Sequence, residues 1–405
     1  MTLVQDLRSA LRDVAVRDGL QVATGLRGGA EPELVVSPSS TSEVVEVCAW
    51  AGRQGLGVLP VGRGAHVDPV RDGRFIVLET SRLTGIEEYE AADMTITARA
   101  GTSFGVVDDA LAEHGQWAPF DPPSVRTRSI GGFISAAAHG PLWAGYGALK
   151  NHVLGATLVT GDGRILRLGG KVVKNVAGYD LLRPVVGGRG RLGIVTSVCL
   201  RAFPKPHHER VLVLSDRSVP ELLDAGVALG TAPILPVSIV VSGPLTELDG
   251  RSALVVRLHG AESTVDADQA TLESHIRAPL DRVHEADSLL DEIRDRGGVE
   301  SRRVEVSVLP SRLRDVVSAM RNVGFASSVV DSYAGRIRIG SNSLEREAVD
   351  ALRGAAEGAG GALRVVRWAE DDRPAGTPQR EAEAGLSERL ESIFDPDGVL
   401  WPARP

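Results

Sequence analysis

Residues 188–193 read GRGRLG and so match the G-x-G-x-x-G spelling of a dinucleotide-binding fingerprint. That fingerprint requires a strand before it and a helix after it, because the helix N-terminus faces the pyrophosphate of the ligand. Here residues 194–200 read IVTSVCL, a β-branched run that predicts a strand. No acidic residue follows a βα unit about 20 positions further on, as the fingerprint also requires. The sequence therefore excludes a Rossmann site and predicts a tight turn that leads into a strand.

Three more stretches are rich in glycine. Residues 60–68, PVGRGAHVD, follow a buried strand, so their turn leaves backbone N–H groups free to form an anion nest. Residues 121–140, DPPSVRTRSIGGFISAAAHG, combine a rigid Pro-Pro entry with small residues that let a ligand approach the backbone closely. Residues 169–180, GGKVVKNVAGYD, lead into the opening motif. One such turn alone is more often structural, whereas several within one domain favour nucleotide binding.

Predicted strands and helices alternate over residues 34–140. Residues 40–43, STSE, form a capping box, and the helix behind them is apolar at i, i+3, i+4 and i+7. A second helix begins at Ser103 and carries its apolar face as far as His114. Further on, the Asp162-Gly163 turn between β-branched runs predicts a hairpin.

The composition changes at residues 203–210, FPKPHHER, which is the best candidate for a domain boundary. Beyond it, the order strand, helix, strand, strand, helix, strand is typical of a ferredoxin-like α+β unit. A charged loop at 369–383 and a closing helix at 384–394 end this part. We see no long-period repeat in the sequence. The expected fold class is α+β.

Bulk properties narrow the function. At 405 residues the chain is too long for one compact core. The net charge is −8 without a basic cluster, which argues against nucleic acid or an anionic membrane surface as a partner. Cys48 and Cys199 lie in apolar runs and are expected to be buried thiols, and no apolar run approaches the ~20 residues of a membrane span. The N-terminus is charged throughout, unlike a secretory signal, so we expect a cytoplasmic protein.

The ordered glycine segments resemble flavoproteins of the vanillyl-alcohol-oxidase or PCMH type, which bind FAD without a Rossmann fold. Within that family, the chain is most similar to the FAD-binding subunits of bacterial glycolate oxidases. The resemblance is strongest over residues 129–198, and DPDGVLWP at 395–402 resembles the family ending DPxGxxNP. The glycine loops depart from the family pattern at Arg63, Arg189 and Arg191. These arginines either add positive charge to a phosphate site or are solvated loop residues.

The resemblance implies an FAD-binding PCMH-type domain of two subdomains at 1–206, a cap or substrate domain at 207–385, and a C-terminal helix and tail at 386–405 that return to the FAD domain. It also implies a set of FAD-binding residues: Val61, Gly62, Arg63, Gly64, Ala65, His66, Pro122, Ser129, Ile130, Gly131, Gly132, His139, Gly140, Gly193, Ile194 and Val195. Some relatives attach the flavin through a histidine that corresponds to position 65. Alanine stands there in this chain, so we expect non-covalent FAD.

Binding the carboxylate of a hydroxy acid calls for a cation, and arginine meets a carboxylate bidentately. In the cap, Arg257 and His259 share one strand face, and so do Arg336 and Arg338. Each pair is a candidate for substrate binding, although for any single pair a solvated, charged strand face is the better explanation. The sequence assigns no catalytic residue, and no metal-ligand pattern is recognisable.

The resemblance implies hydride transfer from a 2-hydroxy acid, glycolate to glyoxylate, to the flavin of an FAD-dependent oxidoreductase. It also implies a catalytic flavoprotein and an iron–sulfur protein as partner subunits, through which the chain would reach a membrane. Three alternatives stay open: a stand-alone oxidoreductase on another hydroxy acid, a sugar or alditol oxidase, and a non-catalytic FAD-binding interaction subunit.

Overall fold

The computed structural model describes residues 3–11, 14–18, 31–65, 73–170, 180–320, 325–368, 373–378 and 381–400. In these ranges the strands form sheets of four, five and eight strands and one two-stranded ribbon, with helices packed against the sheets. The mixture confirms the α+β fold class.

The first sheet occupies the N-terminal part of the chain. Its elements are α1 Leu3–Ala10, β1 Ala15–Asp18, β2 Leu34–Ser37, α2 Thr41–Arg53, β3 Gly57–Val61 and β4 Phe75–Glu79. The strand order is β1-β2-β4-β3, with β2, β4 and β3 parallel. Ligands of parallel sheets bind beyond the carboxyl ends of the strands, and the glycine loop at 62–65 leaves β3 at that end.

Helix α2 begins at the predicted capping box, with one change of partner. The Ser40 hydroxyl accepts a hydrogen bond from the backbone N–H of Glu43 at 3.1 Å. The Glu43 carboxylate accepts instead from the backbone N–H of Ser39 at 2.8 Å, one position earlier than the box requires. The predicted apolar face of α2 is buried.

The second sheet is antiparallel, with the order β5-β6-β10-β8-β9. Strand β10 starts directly after the opening motif, as predicted, and the hairpin of β8 and β9 around Asp162-Gly163 is confirmed. The prediction for the second helix was wrong at its end: α3 stops at Ala112, and His114 lies exposed beyond it, edge-on to Tyr89. The elements are β5 Ile86–Glu90, β6 Thr95–Arg99, α3 Phe104–Ala112, β7 Gln116–Trp117, α4 Ile130–Ala136, α5 Trp143–Tyr146, β8 Val153–Val159, β9 Ile165–Gly169, α6 Leu182–Val185, β10 Ile194–Arg201 and β11 Phe203–Pro204.

The third sheet has eight strands, all antiparallel to their neighbours, in the order β15-β12-β14-β13-β17-β18-β16-β19. Its elements are β12 His208–Leu214, α7 Val219–Leu229, β13 Ser238–Leu245, β14 Arg251–Gly260, α8 Glu262–Ile276, β15 Asp281–Val283, α9 Asp287–Asp295, β16 Arg303–Ser307, α10 Leu313–Ala319, β17 Ser328–Asp331, β18 Arg336–Gly340, α11 Arg346–Gly358 and β19 Ala362–Arg367. A further helix, α12 Glu381–Phe394, follows.

This sheet contains a structural repeat. The run β12-α7-β13-β14-α8-β15 recurs as β16-α10-β17-β18-α11-β19, and in each copy the strands lie in the order fourth, first, third, second. The copies join edge to edge where β13 pairs antiparallel with β17. The third sheet therefore contains two ferredoxin-like units, where one was expected. The structure has a repeat although the sequence shows none. Apolar periodicity is enough to build each copy, so the two sequences need not be alike.

The two faces of the third sheet have different neighbours. Inward side chains such as Val304, Val306 and Ile337 pack with helices α7, α8, α10 and α11 in one apolar core. Because side chains alternate along a strand, Arg303, Glu305 and Arg336 project to the opposite face.

That opposite face meets the first two sheets through polar contacts. Arg257 lies 3.4 Å from the Asp121 carboxylate, and the backbone N–H of Ser124 donates to Asp295 at 2.7 Å. Arg303 donates to the Ala65 carbonyl at 3.2 Å. The cap face is thus held against the two glycine segments at 61–65 and 121–132.

Helix α12 returns to the N-terminal half. Phe394 packs in the core of the second sheet, and Leu400 forms a parallel bridge with Val58 of β3. The boundaries at 206 and 385 stay a prediction, although β11 is the last strand that pairs with the N-terminal half and β12 the first of the third sheet. Within the described ranges, no helix is long and apolar enough to cross a membrane.

Candidate functional site

Three glycine-rich segments come together around one cleft between the first and second sheets. The cleft holds about 870 Å³ of empty space, including the part open to solvent. Eleven of the expected FAD residues line it: Val61, Gly62, Arg63, Gly64, Ala65, Ser129, Gly131, Gly132, Gly193, Ile194 and Val195. We call this space the nucleotide cleft.

Gly62 and Ser129 show why the cleft needs glycine. A Cβ on Gly62 would lie 2.2 Å from the Ser129 hydroxyl, so any side chain there would push the two segments apart. Ser129 is 2% exposed, and its hydroxyl has no hydrogen-bond partner among the residues that the structure describes. A buried polar atom without a partner is costly, and a ligand that supplies one relieves that cost. The glycine cradle and the orphan hydroxyl fit a nucleotide bound through its phosphates.

The opening motif is split between two tasks. Arg189 lines the nucleotide cleft and sits at a φ of 51°, held by a bond from its N–H to the Ser135 carbonyl at 2.9 Å. Arg191 turns away and lies 3.6 Å from Glu391 of α12. Gly193 has a φ of 145°, and a Cβ there would meet a Leu158 methyl at 2.3 Å. The motif therefore forms a tight turn beside the cleft, and strand β10 begins directly after it.

The other expected FAD residues lie elsewhere. Ile130 is buried in the core of the second sheet, and Pro122 is buried next to Asp121. His139 and Gly140 line smaller pockets under the cap instead of the nucleotide cleft. His66 lies outside the described residues.

Two small pockets lie between the cap face and the segment that leads out of α4. They hold about 310 Å³ and about 380 Å³ of empty space, including the part open to solvent, and we call them the cap pockets. Both are lined by His139, Glu305 and Arg338, the first also by Arg128 and Arg303, and the second also by Asp331 and Arg336. Four buried or half-buried guanidinium groups, of Arg128, Arg303, Arg336 and Arg338, form what we call the arginine cluster.

Arg128 connects the two spaces, because it lines both the nucleotide cleft and the first cap pocket. Its Nε donates to the Pro123 carbonyl at 2.5 Å, and the residue is 4% exposed. Burial, together with the charges of Arg303 and Arg338, lowers the pKa of Arg128 to about 10. The guanidinium therefore stays cationic at neutral pH where the two spaces adjoin.

Arg336 and His139 face each other across the second cap pocket. Arg336 Nη1 lies 3.1 Å from His139 Nε2, and its guanidinium stacks 3.9 Å above the Trp143 ring. Burial lowers the pKa of His139 to about 4, so the ring is neutral at pH 7. An arginine can only donate, so Nε2 acts as the acceptor and the ring proton resides on Nδ1. His139 thus holds Arg336 in place without competing for an anion.

The Arg338 guanidinium binds mainly to backbone carbonyl groups. It donates to the carbonyls of Ile293 at 3.0 Å, Arg294 at 2.8 Å and Arg296 at 2.9 Å, at the end of α9. Cations at a helix C-terminus satisfy the last carbonyls and complement the helix dipole. Its remaining edge lines both cap pockets.

The second predicted pair, Arg257 and His259, lies in a separate polar network at the junction with α5. Arg257 contacts Glu209 at 2.7 Å, and His259 Nδ1 lies 2.8 Å from the Tyr146 hydroxyl. Burial opposes ionisation of Glu209, but His259 and Arg257 hold its pKa at about 2. Neither member of the pair lines the cleft or the cap pockets.

The sequence reasoning did not single out Arg128, Arg303 or Glu305. A signal for the last two was present, because RVEVS alternates charged and apolar residues and so puts Arg303 and Glu305 on one strand face. Arg128 gave no comparable signal. Among the residues with a described position, no group of three or more His, Cys, Asp and Glu side chains could hold a metal ion.

Comparison with known proteins adds a domain family to this geometry. Residues 32–169 match the model of the FAD binding domain. The chain is 36% identical over 189 residues to glycolate oxidase subunit GlcE of Escherichia coli K12, which covers 46% of this chain and 51% of that protein. It is 35% identical over 190 residues to a D-lactate dehydrogenase of Archaeoglobus fulgidus, covering 46% and 42%. The identity to glycolate oxidase subunit GlcD of Bacillus subtilis is 27% over 259 residues, covering 60% and 55%.

The chain thus spans about half the length of the curated relatives it matches. The solved structure of an alkyldihydroxyacetonephosphate synthase superposes on 99% of this chain and 84% of its own, with a TM-score of 0.73 at 16% identity, which indicates a shared fold. Residues 32–169 thus match the FAD binding domain family, and FAD is the cofactor of this protein.

Proposed function

We propose that this chain is the FAD-binding subunit of a glycolate oxidase-type complex and oxidises a short 2-hydroxy acid, glycolate to glyoxylate. One observation carries the proposal: Arg128 lines both the nucleotide cleft and the first cap pocket. A flavin in the cleft would therefore adjoin a pocket walled by guanidinium groups, which suits a carboxylate substrate. When bound, FAD supplies the acceptor for the hydride of the substrate carbon.

The residues of the chain bind the nucleotide, bind the substrate and exclude water. The amides of the 62–65 loop and the Ser129 hydroxyl hold the nucleotide, and Arg189 adds positive charge at the rim of the cleft. Arg336 binds the substrate carboxylate, with Trp143 and neutral His139 fixing its guanidinium plane. The cap sheet covers the pockets and excludes water, which strengthens each charge–charge contact inside them.

Partner subunits belong to the same proposal. Two relatives are named as subunits of glycolate oxidase, and the chain spans about half the length of each. We expect a catalytic flavoprotein and an iron–sulfur subunit to receive the electrons, and any association with a membrane to run through them.

The test is anaerobic addition of glycolate, D-lactate and a sugar alcohol to the purified, FAD-loaded chain. Bleaching of the flavin band by glycolate or D-lactate supports the proposal, and bleaching by the sugar alcohol alone overturns it in favour of an alditol oxidase. If colour persists with every donor until partner subunits are added, the chain serves as an accessory subunit and does not oxidise the acid alone.

A variant of Arg336 tests the assigned role. Arg336→Gln is expected to raise the glycolate concentration for half-maximal bleaching about 100-fold, because the charged fork to the carboxylate is lost. The control is Arg314→Gln, which removes the same charge from an exposed position on α10. FAD binding, followed by flavin fluorescence, should be unchanged in both. Equal half-maximal concentrations in the two variants would contradict the role.

A further inference from the structure

The arginine cluster surrounds a carboxylate. Glu305 lies on β16, directly opposite Arg338 of β18 on one side and Arg364 of β19 on the other. The Arg364 guanidinium donates to the Glu305 carboxylate at 2.5 Å. Directly paired residues on one sheet face are close neighbours, so this negative charge lies between two positive ones.

Glu305 also lines both cap pockets, beside Arg303 in one and Arg336 in the other. The other acidic residue that lines the second cap pocket is Asp331, which already accepts hydrogen bonds from the backbone. Its carboxylate accepts from the backbone N–H groups of Tyr333 at 3.1 Å and Ala334 at 2.8 Å, which closes the turn between β17 and β18. Glu305 also has a partner in Arg364, but it lines both cap pockets, so a second negative group that enters either pocket would meet its carboxylate.

The size of the pockets points the same way. Measured in the same way as the nucleotide cleft, the cap pockets hold about 310 Å³ and about 380 Å³ of empty space, each less than half of the 870 Å³ in the cleft. A substrate that enters them has few heavy atoms, so its second substituent comes close to the pocket wall. A methyl or hydrogen meets no penalty there, whereas a carboxylate meets the like charge of Glu305.

We propose that Glu305 is a specificity-determining residue that restricts the cap pockets to short 2-hydroxy acids with one carboxylate. The inference rests on the proposed function and deepens it by naming the substrate class. Arginines Arg303, Arg336 and Arg338 attract the first carboxylate, and Glu305 repels a second one.

The test compares D-lactate with tartronate, in which a carboxylate replaces the lactate methyl. Their apparent affinities for the FAD-loaded chain are measured anaerobically as the concentration that gives the half-maximal change in the flavin spectrum, bleaching included, and, independently, from the rise in Tm that each acid produces. Glu305→Gln keeps an acceptor for Arg364 and removes the charge. We expect it to raise the affinity for tartronate relative to D-lactate on the order of 10- to 100-fold, since like charges in contact strongly disfavour a partner.

The matched control is Glu357→Gln, the same change on the exposed outer face of α11 in the same half of the sheet. It should leave the ratio as in the unmodified chain. A ratio that is the same in both variants, while each acid binds, overturns the role of Glu305 and leaves the proposed function standing. If neither acid binds any form of the FAD-loaded protein, the proposed function fails and this inference fails with it.

Discussion

At the scale of single residues, the nucleotide cleft depends on glycines, because a Cβ atom at these positions would collide with a neighbouring segment. Gly62 faces Ser129, and only a hydrogen on Cα leaves room for the second segment. The same crowding occurs at Gly193 beside Leu158. The sequence indicated both glycines from their clustering, but not which atom each would contact, because those partners lie tens of residues away along the chain.

Gly62→Ala is expected to weaken FAD binding about tenfold or more, equivalent to ~1.4 kcal/mol, because its Cβ drives the 62–65 loop away from Ser129. Titration of the FAD-free chain with FAD, followed by fluorescence quenching, measures the effect. Gly354→Ala serves as the control, since a Cβ there meets open space on helix α11. An unchanged dissociation constant in Gly62→Ala would show that the loop yields without cost.

At the scale of elements, strand pairing brings together charged residues that are far apart in the sequence. Arg338, Glu305 and Arg364 lie on three different strands and become neighbours only through the registers of β18, β16 and β19. The sequence correctly put Arg336 and Arg338 on one face, because alternation acts within a strand. It could not tell which other strand would lie alongside. The hairpin of β17 and β18 adds a further buried acid, Asp331.

Burial raises the pKa of Asp331 from 3.8 to about 7. A carboxyl with a raised folded-state pKa stabilises the fold below its unfolded pKa, and this contribution is lost as the pH rises from 3.8 to about 7. Asp331→Asn keeps the acceptor for Tyr333 and Ala334 but does not titrate. We therefore expect its Tm, relative to the unmodified chain, to rise by at least about 3 °C between pH 4 and pH 7.5. Parallel Tm profiles over that range would refute this assignment.

At the scale of the whole molecule, the buried ion pair of Arg257 and Asp121 helps to hold the cap against the nucleotide half. Arg257 and Asp121 are separated by 136 positions in sequence, and their side chains are 10% and 13% exposed at a distance of 3.4 Å. Burial raises the pKa of Asp121, and Arg257 opposes that effect. Removing one partner of such a pair lowers the free energy of unfolding far more than replacing both partners.

Arg257→Leu is expected to cost about 3–5 kcal/mol in the free energy of unfolding, because the Asp121 and Glu209 carboxylates both lose the same cation. The double variant Arg257→Leu with Asp121→Asn should recover at least about 1 kcal/mol, since asparagine still accepts the Leu142 N–H bond. Urea denaturation of Arg257→Leu, Asp121→Asn and the double variant measures both values. Strictly additive losses would mean that the two side chains do not act as a pair.

The sequence by itself determined the α+β class, the strand after the opening motif, the glycine segments of the nucleotide cleft and the face shared by Arg336 and Arg338. These features depend on turn chemistry and alternation, which act between neighbours in the chain. Only the tertiary structure decided that Arg189 lines the cleft while Arg191 contacts Glu391, that the cap repeats one unit twice, and that Arg128 joins cleft and cap pocket. The function of a charged side chain depends on what buries it, and in this protein the burying residues come from segments that are distant in the sequence.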